Sequence, residues 1–325
     1  MLHQIIKQFI DHLWVHDGAL YSPITDDGWT VDFVERPEIK FTDPDFRLFI
    51  VLQDMLTFKP NATLPNELIT IHDYYKNRGI DMKQVVAVVW NHGVADIWHK
   101  ARPDSIQVVE FSPWQYNTAL DYKNCWSQIQ RVASKHEPNY VAVAPNRIAK
   151  RHRVDTYNDL KSNPLMNVSL QQRGIELKYP GKTFEDYDYN NAENLLSIGK
   201  NYQDAWLAVI CESQYYEHRG IITEKTYNAI VSMTPFIMVG SQFLLEHLEN
   251  QGFKTFNALG GRWYDTLENT KRREAALTYL PTNLRYAEEV YYMSYDVLTW
   301  NYQWFLNGYT DFLVKQLKSQ LNKLN

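Results

Sequence analysis

Two α/β domains, each built on a mainly parallel sheet between helices, are what this sequence predicts, and three observations predict them. Short apolar runs without polar alternation, such as RLFIVL, VVAVVW and IQVVEF, describe strands covered on both faces, the setting of parallel sheets. These runs alternate with segments of helical spacing, which is the βαβ pattern. The alternation then starts afresh near residue 138, and 325 residues with 45% hydrophobic content suffice for two cores. Domains of about 100–200 residues are the usual size.

In chain order, Leu2, Ile5, Ile6, Phe9, Ile10, Leu13 and Trp14 recur at helical spacing and predict an amphipathic helix. Its polar face is not basic, so docking on the protein is favoured over a membrane surface. Residues 21–45, with several prolines and an Asp-Asp-Gly turn signal, read as loops with short strands. Arg47 to Leu52 reads as a strand, and Leu64 to Arg78 as a helix begun by Asn61 or Thr63 with Pro65 and ended by Gly79. Val85 to Trp90 and Ile106 to Phe111 give two more strands, followed by a helix over Tyr116 to Ala133. The linker falls at Lys135 to Pro138, dividing the chain into 1–137, 138–282 and a last segment 283–325.

The second domain opens with a strand at Tyr140 to Ala144 and a helix at Arg153 to Lys161. Trp206 to Ser213 is a further strand. Thr223 can cap a helix whose Tyr227, Ile230 and Val231 share one face, Pro235 stops it, and Phe236 to Val239 is a strand. From Asn283 onward the pattern is helical, with Val290, Met293, Val297, Trp300, Trp304, Phe305, Phe312, Leu317 and Leu321 as apolar positions. Such a segment is too aromatic for a tail; it should cover the second domain and cross back to the first.

Composition excludes several function classes. No apolar run approaches the roughly 18 residues of a membrane span, and Lys7 and Asp11 interrupt the start, so no signal peptide is expected. Two cysteines, Cys125 and Cys211, build no disulfide framework, which makes the cytoplasm the expected compartment. A net charge of −5 argues against a protein that coats nucleic acid, yet Arg131 to Lys182 holds ten Lys or Arg against four Asp or Glu. Local basic charge of this kind suits a defined anionic site.

Two loops carry that site. Thr223-Glu224-Lys225 stands where a loop becomes a helix, and there unpaired backbone NH groups and the helix dipole attract phosphate. Lys225 adds a full positive charge and Glu224 an acceptor suited to a ribose hydroxyl, with Asn228 one turn further on. The second loop, Asn146, Arg147, Lys150, Arg151 and Arg153, follows a strand and precedes a helix. A diphosphate needs the forked donors of Arg and the point charge of Lys, although a solvated basic turn has the same composition. Glu212 is either a ligand contact or a hydrogen-bonded strand terminus. Arg219 and Gly220 either close over phosphate or form an exposed turn. Two cationic strand-to-helix loops in one domain point together to a diphosphate-bearing ligand at the carboxyl edge of a sheet. The Asp43/Asp45 and Asp186/Asp188 pairs sit in turn-like segments, and the histidines lack ligand spacing, so no metal is predicted.

Taken in order, Asn146-Arg147, Lys150, His152-Arg153, Thr223 to Thr226, Pro235 to Ile237, Gly252 to Phe256 and Tyr264-Asp265 resemble the motif series of a phage-encoded glycosyltransferase family. Lys150 stands where that family has Arg. More distantly, the same half resembles α1,3-fucosyltransferases. The resemblance covers roughly residues 139–275 and implies a GT-B-like arrangement, two Rossmann-like domains with a cleft between them. The C-terminal domain would bind a nucleoside-diphosphate sugar and the N-terminal one the acceptor, with no cofactor besides the sugar nucleotide. By carry-over, Lys225, Arg147 and Arg153 hold the diphosphate and Glu224 meets the ribose or sugar. Cations there would stabilise the charge that grows on the leaving group without a metal. An inverting transfer also needs a base on the acceptor side, for which Asp54, His92 and Glu110, at or near three strand ends of the first domain, are the candidates. The acceptor the resemblance suggests is a hydroxymethylated base in double-stranded phage DNA, presented from the groove or flipped from the stack. A surface glycan or lipopolysaccharide is the same-class alternative. A non-catalytic nucleotide- or nucleic-acid-binding module is the different-class one.

Overall fold

The structure, a computed structural model, describes residues 64–125, 137–146, 149–170, 199–216 and 220–324, together with 13–15, 24–25, 28–29, 47–51, 56, 127, 130, 133 and 135. The chain divides into two compact units: Met1–Pro113 with Leu313–Asn325, and Trp114–Phe312. Both are α/β units with parallel sheets. No helix among the described residues is long and apolar enough to cross a membrane.

Unit 1 contains β1 (Leu13–Val15), a two-residue antiparallel pair β2 (Ile24–Thr25) and β3 (Gly28–Trp29), then β4 (Arg47–Val51), β5 (Val85–Val89) and β6 (Gln107–Glu110). Its parallel sheet has the order β1-β4-β5-β6, with Leu13 opposite Arg47, Leu48 opposite Val85 and Val86 opposite Gln107. Every residue of β5 is buried, which explains the uninterrupted apolar run. Helices α1 (Asn66–Lys76) and α2 (Val94–Ala101) supply Leu68, Ile71 and Trp98 to a core with Val85, Ala87, Val89 and Val108. The Trp98 indole is fully buried and donates to the Ile106 carbonyl at 3.1 Å. The expected amino-terminal helix is corrected where it can be seen: Leu13 and Trp14 lie in β1. Helical spacing there is overridden by a hydrogen-bonding partner, β4, that lies over 30 residues away in sequence and that local periodicity does not register.

In unit 2, β7 (Tyr140–Asn146), β8 (Met166–Leu170), β9 (Ala205–Cys211) and β10 (Phe236–Val239) form a second parallel sheet in the order β10-β9-β7-β8. Its helices follow α3 (Pro113–Asn124) as α4 (Arg151–Leu160), α5 (Glu224–Val231), α6 (Leu244–Asn250), α7 (Asn269–Leu277), α8 (Leu284–Met293), α9 (Tyr295–Asn307) and α10 (Tyr309–Leu321), the last passing into unit 1 at Leu313. The crossover β7-α4-β8 steps outward on one side and β9-α5-β10 on the other. Strand β8 was not foreseen. It is an edge strand, mostly half-buried, whose Met-Asn-Val-Ser-Leu sequence lacks a continuous apolar run.

Helix α3 begins at Pro113, earlier than expected, because proline is pre-organised for a first helical turn, and closes at Asn124; Ser127 is again helical, and residues 126, 128–129 and 131–132 of the expected helix lie outside the described residues. The compact units change over at 113/114. Tyr122 of α3 is fully buried against Phe305 at 5.7 Å, and its hydroxyl donates to Asn228, so the helix packs with unit 2. At the other end, Gln320 of α10 exchanges two 2.8 Å hydrogen bonds with the Glu110 backbone, its amide standing in for a strand at the edge of β6.

Aromatic side chains of the last helices hold α5. Tyr227 stacks on Phe305 at 4.9 Å, its hydroxyl meets that of Tyr309 at 2.8 Å, and Tyr309 donates onward to Gln251 at 2.8 Å. Beside them, Gly252 sits at φ +89°, and a Cβ there would lie 2.8 Å from the Trp304 ring. Trp304 is itself pinned by a 2.8 Å bond to the Gln251 carbonyl, so it has little room to yield. Gly252→Ala is therefore expected to lower stability by about 1–3 kcal/mol, from left-handed backbone strain and overpacking together, measured as a shift in urea midpoint.

Candidate functional site

The opposite crossovers make the gap between β7 and β9 a topological switch point, and ligands of open α/β sheets sit in that crevice beyond the strand carboxyl ends. The two loops singled out in the sequence flank it. Lys150 donates to the Ser213 carbonyl at 2.7 Å, and His152 Nε2 lies 2.9 Å from the Glu212 carbonyl, tying the loop after β7 to the loop after β9. A carbonyl only accepts, so Nε2 carries the proton. The imidazole stacks on Tyr215 at 4.8 Å with planes 10° apart, and burial pushes its pKa down to about 4, with nearby Arg153, Lys150 and Arg272 adding to the depression.

Glu212 organises the opposite wall. It is fully buried, and its carboxylate accepts from the Thr223 amide at 3.0 Å, from the Thr223 hydroxyl and from the Thr226 hydroxyl at 2.6 Å. Thr223 occupies the N-cap position in extended conformation, yet its side chain makes no cap bond. The cap comes instead from the end of β9, a carboxylate on the positive end of the helix dipole. Of the two roles open to Glu212, the structure places it at the hydrogen-bonded strand terminus.

Beyond that cap, Lys225 Nζ lies 2.6 Å from Glu224 Oε1 and 3.0 Å from Thr223 Oγ1, with 15% of its side chain exposed. An ammonium has three hydrogens, so one is left over at the helix mouth among the described residues. Burial raises the Glu224 carboxyl, but Lys225 outweighs it, and with a further contribution from Arg153 the group is held below the usual carboxylate range. Arg153 is buried in the first turn of α4, so it acts on the crevice through its field. Asn146 ends β7 at the carboxyl edge of the sheet, buried, with Nδ2 3.4 Å from the Ala144 carbonyl and Oδ1 without a partner among the described residues. Asn228 is placed apart from this group: it is buried and receives the Tyr122 hydroxyl on the α3 side. Arg147 and Arg219 lie outside the described residues, as do Asp54 and both Asp pairs.

One further contributor escaped sequence reasoning. Arg272, 1% exposed, donates to the carbonyls of Gly240, Leu267 and Tyr215 at 2.8–2.9 Å and lies over the Tyr215 ring at 4.9 Å. It stitches the loop after β9 to the end of β10 and to α7. Within Lys-Arg-Arg-Glu it reads as surface charge, and nothing local marks it as buried. The Tyr264-Asp265 pair serves the scaffold as well: Tyr264 accepts from the Met238 amide at 3.2 Å, and Asp265 accepts from the Glu246 amide at 3.0 Å in the first turn of α6.

In unit 1, Glu110 ends β6 and accepts from the Ala95 amide at 2.8 Å, capping α2. Burial raises its carboxyl, and the amides of residues 93–95 oppose the rise. His92 is buried in the loop after β5. Both stand at the carboxyl edge of their sheet. No described group of three His, Cys, Asp or Glu is placed to hold a metal ion.

No family model and no curated protein matches this chain. Among solved structures, two of the wall teichoic acid polymerase TagF are similar. A histidine-to-alanine variant has a TM-score of 0.30 and 9% identity, covering 87% of this chain and 70% of that one. A histidine-to-asparagine variant has a TM-score of 0.26 and 11% identity, covering 86% and 71%. Similarity this low assigns no activity, substrate or site residue.

Proposed function

We propose that this chain is a glycosyltransferase that draws its sugar from a nucleoside-diphosphate donor bound at the β7/β9 crevice of unit 2. One observation carries the reading: the Lys150 loop and the Thr223-Glu224-Lys225 turn, chosen in the sequence as anion sites, flank the switch point of one parallel sheet. On this reading the remaining hydrogen of Lys225 and the amides of the α5 mouth meet the diphosphate. Lys150 and the field of Arg153 add positive charge as the bond to the sugar breaks and the leaving group gains charge. Glu224, ionised, accepts from a ribose or sugar hydroxyl. Glu212 is a positioning residue that fixes the turn from behind. On this reading the fold is of the GT-B-like class, with the acceptor assigned to unit 1 and a hydroxymethylated DNA base as the acceptor the motif series suggests.

Calorimetric titration with UDP, GDP, dTDP and CMP sugars tests this. One nucleoside-diphosphate sugar is expected to bind and to be hydrolysed slowly to the nucleoside diphosphate. Lys225→Ala should weaken that binding about 30- to 100-fold, the loss of one charge-assisted phosphate contact. If none of the panel binds, the transferase reading is wrong. Labelled donor offered with hydroxymethylcytosine DNA, unmodified DNA and lipopolysaccharide then decides the acceptor, and label on glycan alone would reject DNA.

A further inference from the structure

The opposite edge of the unit 2 sheet carries a groove of about 1060 Å³, at the upper end of small-ligand sites. It is bounded by Asn139, just before β7, by Trp206 at the start of β9, and by α8 and α9. It therefore lies at the amino ends of the strands whose carboxyl ends form the donor crevice, roughly 20 Å away at about 3.3 Å per residue. Trp206 and Tyr291 are mostly buried, with ring centroids 5.5 Å apart, and form the base. Tyr292, 62% exposed, and Tyr295, 49% exposed, stand over it, with Tyr292 6.3 Å from Trp206 and Tyr295 6.3 Å from Tyr291. Two such rings left in water on adjoining helices do nothing for the core.

The rim is polar and of mixed sign. Glu137 and Glu288 make no ion pair with a described residue, Asn139 adds an amide, and Arg285 is offset by Glu289 at 3.3 Å. Lys135 offers a ligand no donor, since the three hydrogens of its ammonium are committed to the Tyr202 and Ala205 carbonyls and the Thr234 hydroxyl. A nucleic acid or an anionic bilayer would be repelled by the rim carboxylates, Glu137 and Glu288. A neutral sugar chain would not be: its C–H faces cover aromatic rings while its hydroxyls pair with carboxylates, amides and guanidinium along the edges.

We propose that this groove binds a neutral oligosaccharide, a second carbohydrate site set away from the donor crevice. Its role rests on the transferase reading; its binding does not. Affinity electrophoresis and calorimetry of the full chain with maltohexaose, cellohexaose and chitohexaose provide the test. At least one hexaose should bind. The double variant Tyr292→Ala with Tyr295→Ala should weaken binding about 10- to 100-fold, up to about tenfold for each ring removed. Its melting temperature should stay unchanged because both rings are exposed, and Lys225→Ala should bind the hexaose normally. Should the double variant fail to fold, Glu288→Ala reads the rim instead, with weaker binding expected. Three outcomes overturn the proposal: no hexaose binds, both sets of variants bind as the native protein does, or a proline-rich peptide binds in place of sugar. Hexaose binding without any sugar-nucleotide binding would sink the transferase reading and leave this site standing, and the reverse result would do the opposite.

Discussion

Glu212→Ala is expected to unfasten the first turn of α5 and lower the stability of unit 2 by about 3–5 kcal/mol. The carboxylate serves two donors on Thr223 and one on Thr226, all buried, and alanine leaves them without acceptor or water. Each orphaned donor costs about 1–3 kcal/mol, about 3–9 kcal/mol for the three, and rotation of the two hydroxyls toward other acceptors places the total at the lower end of that sum. Glu212→Gln keeps one carbonyl oxygen and turns an amide NH2 toward the Thr223 hydroxyl, which can then accept, so about 1 kcal/mol is expected. Urea unfolding gives the totals, and amide exchange over Thr223 to Val231 locates them. A loss under about 1 kcal/mol for alanine would show that the cap lies elsewhere. Donor affinity should fall in the same order, because the Lys225 ammonium leans on Thr223.

Acidification from pH 7 to pH 4 is expected to destabilise unit 2 by about 3 kcal/mol through His152 alone. In the unfolded chain this imidazole takes up a proton at its ordinary value of 6.5, whereas in the folded chain burial delays it to about 4. Between those values the unfolded state holds more protons, so stability is full above pH 6.5 and declines as pH falls, at about 1.4 kcal/mol per unit. His152→Phe retains the stack on Tyr215, gives up the hydrogen bond to the Glu212 carbonyl and cannot titrate. The variant should be less stable than the native protein at pH 7 and nearly level with it at about pH 4.5. Parallel urea midpoints for the two proteins across that pH range would refute the assignment.

The alternation of strands and helices was legible because each buried strand declares itself locally: β5, β6, β7, β9 and β10 are apolar runs whose burial needs no partner to be guessed. Strand order was not, since pairing β9 with β7 joins residues some 60 positions apart, and only that pairing turns two basic loops into one crevice. Glu212 could be read as a ligand contact or as a strand terminus, and the choice depended on three donors that the fold, and not the spacing, brings to it. Arg272 was wholly hidden. Its burial is compensated by three carbonyls from three separate segments, a coincidence that no window of sequence contains. The sequence placed Tyr227, Ile230 and Val231 on one face of their helix, yet every residue from Thr226 to Val231 is buried, and what Tyr227 meets, the stacked rings of Phe305 and Tyr309, is a matter of tertiary packing.

The return of Leu313–Asn325 to unit 1 has a consequence for the order of synthesis. Unit 2 is encoded without interruption from Trp114 to Phe312 and can close as soon as those residues leave the ribosome. Unit 1 begins earlier but cannot finish, because the edge of β6 is completed by Gln320. The nascent protein therefore carries an open edge on β6 from the synthesis of Glu110 until that of Gln320, so a sheet begun before unit 2 is closed only after it.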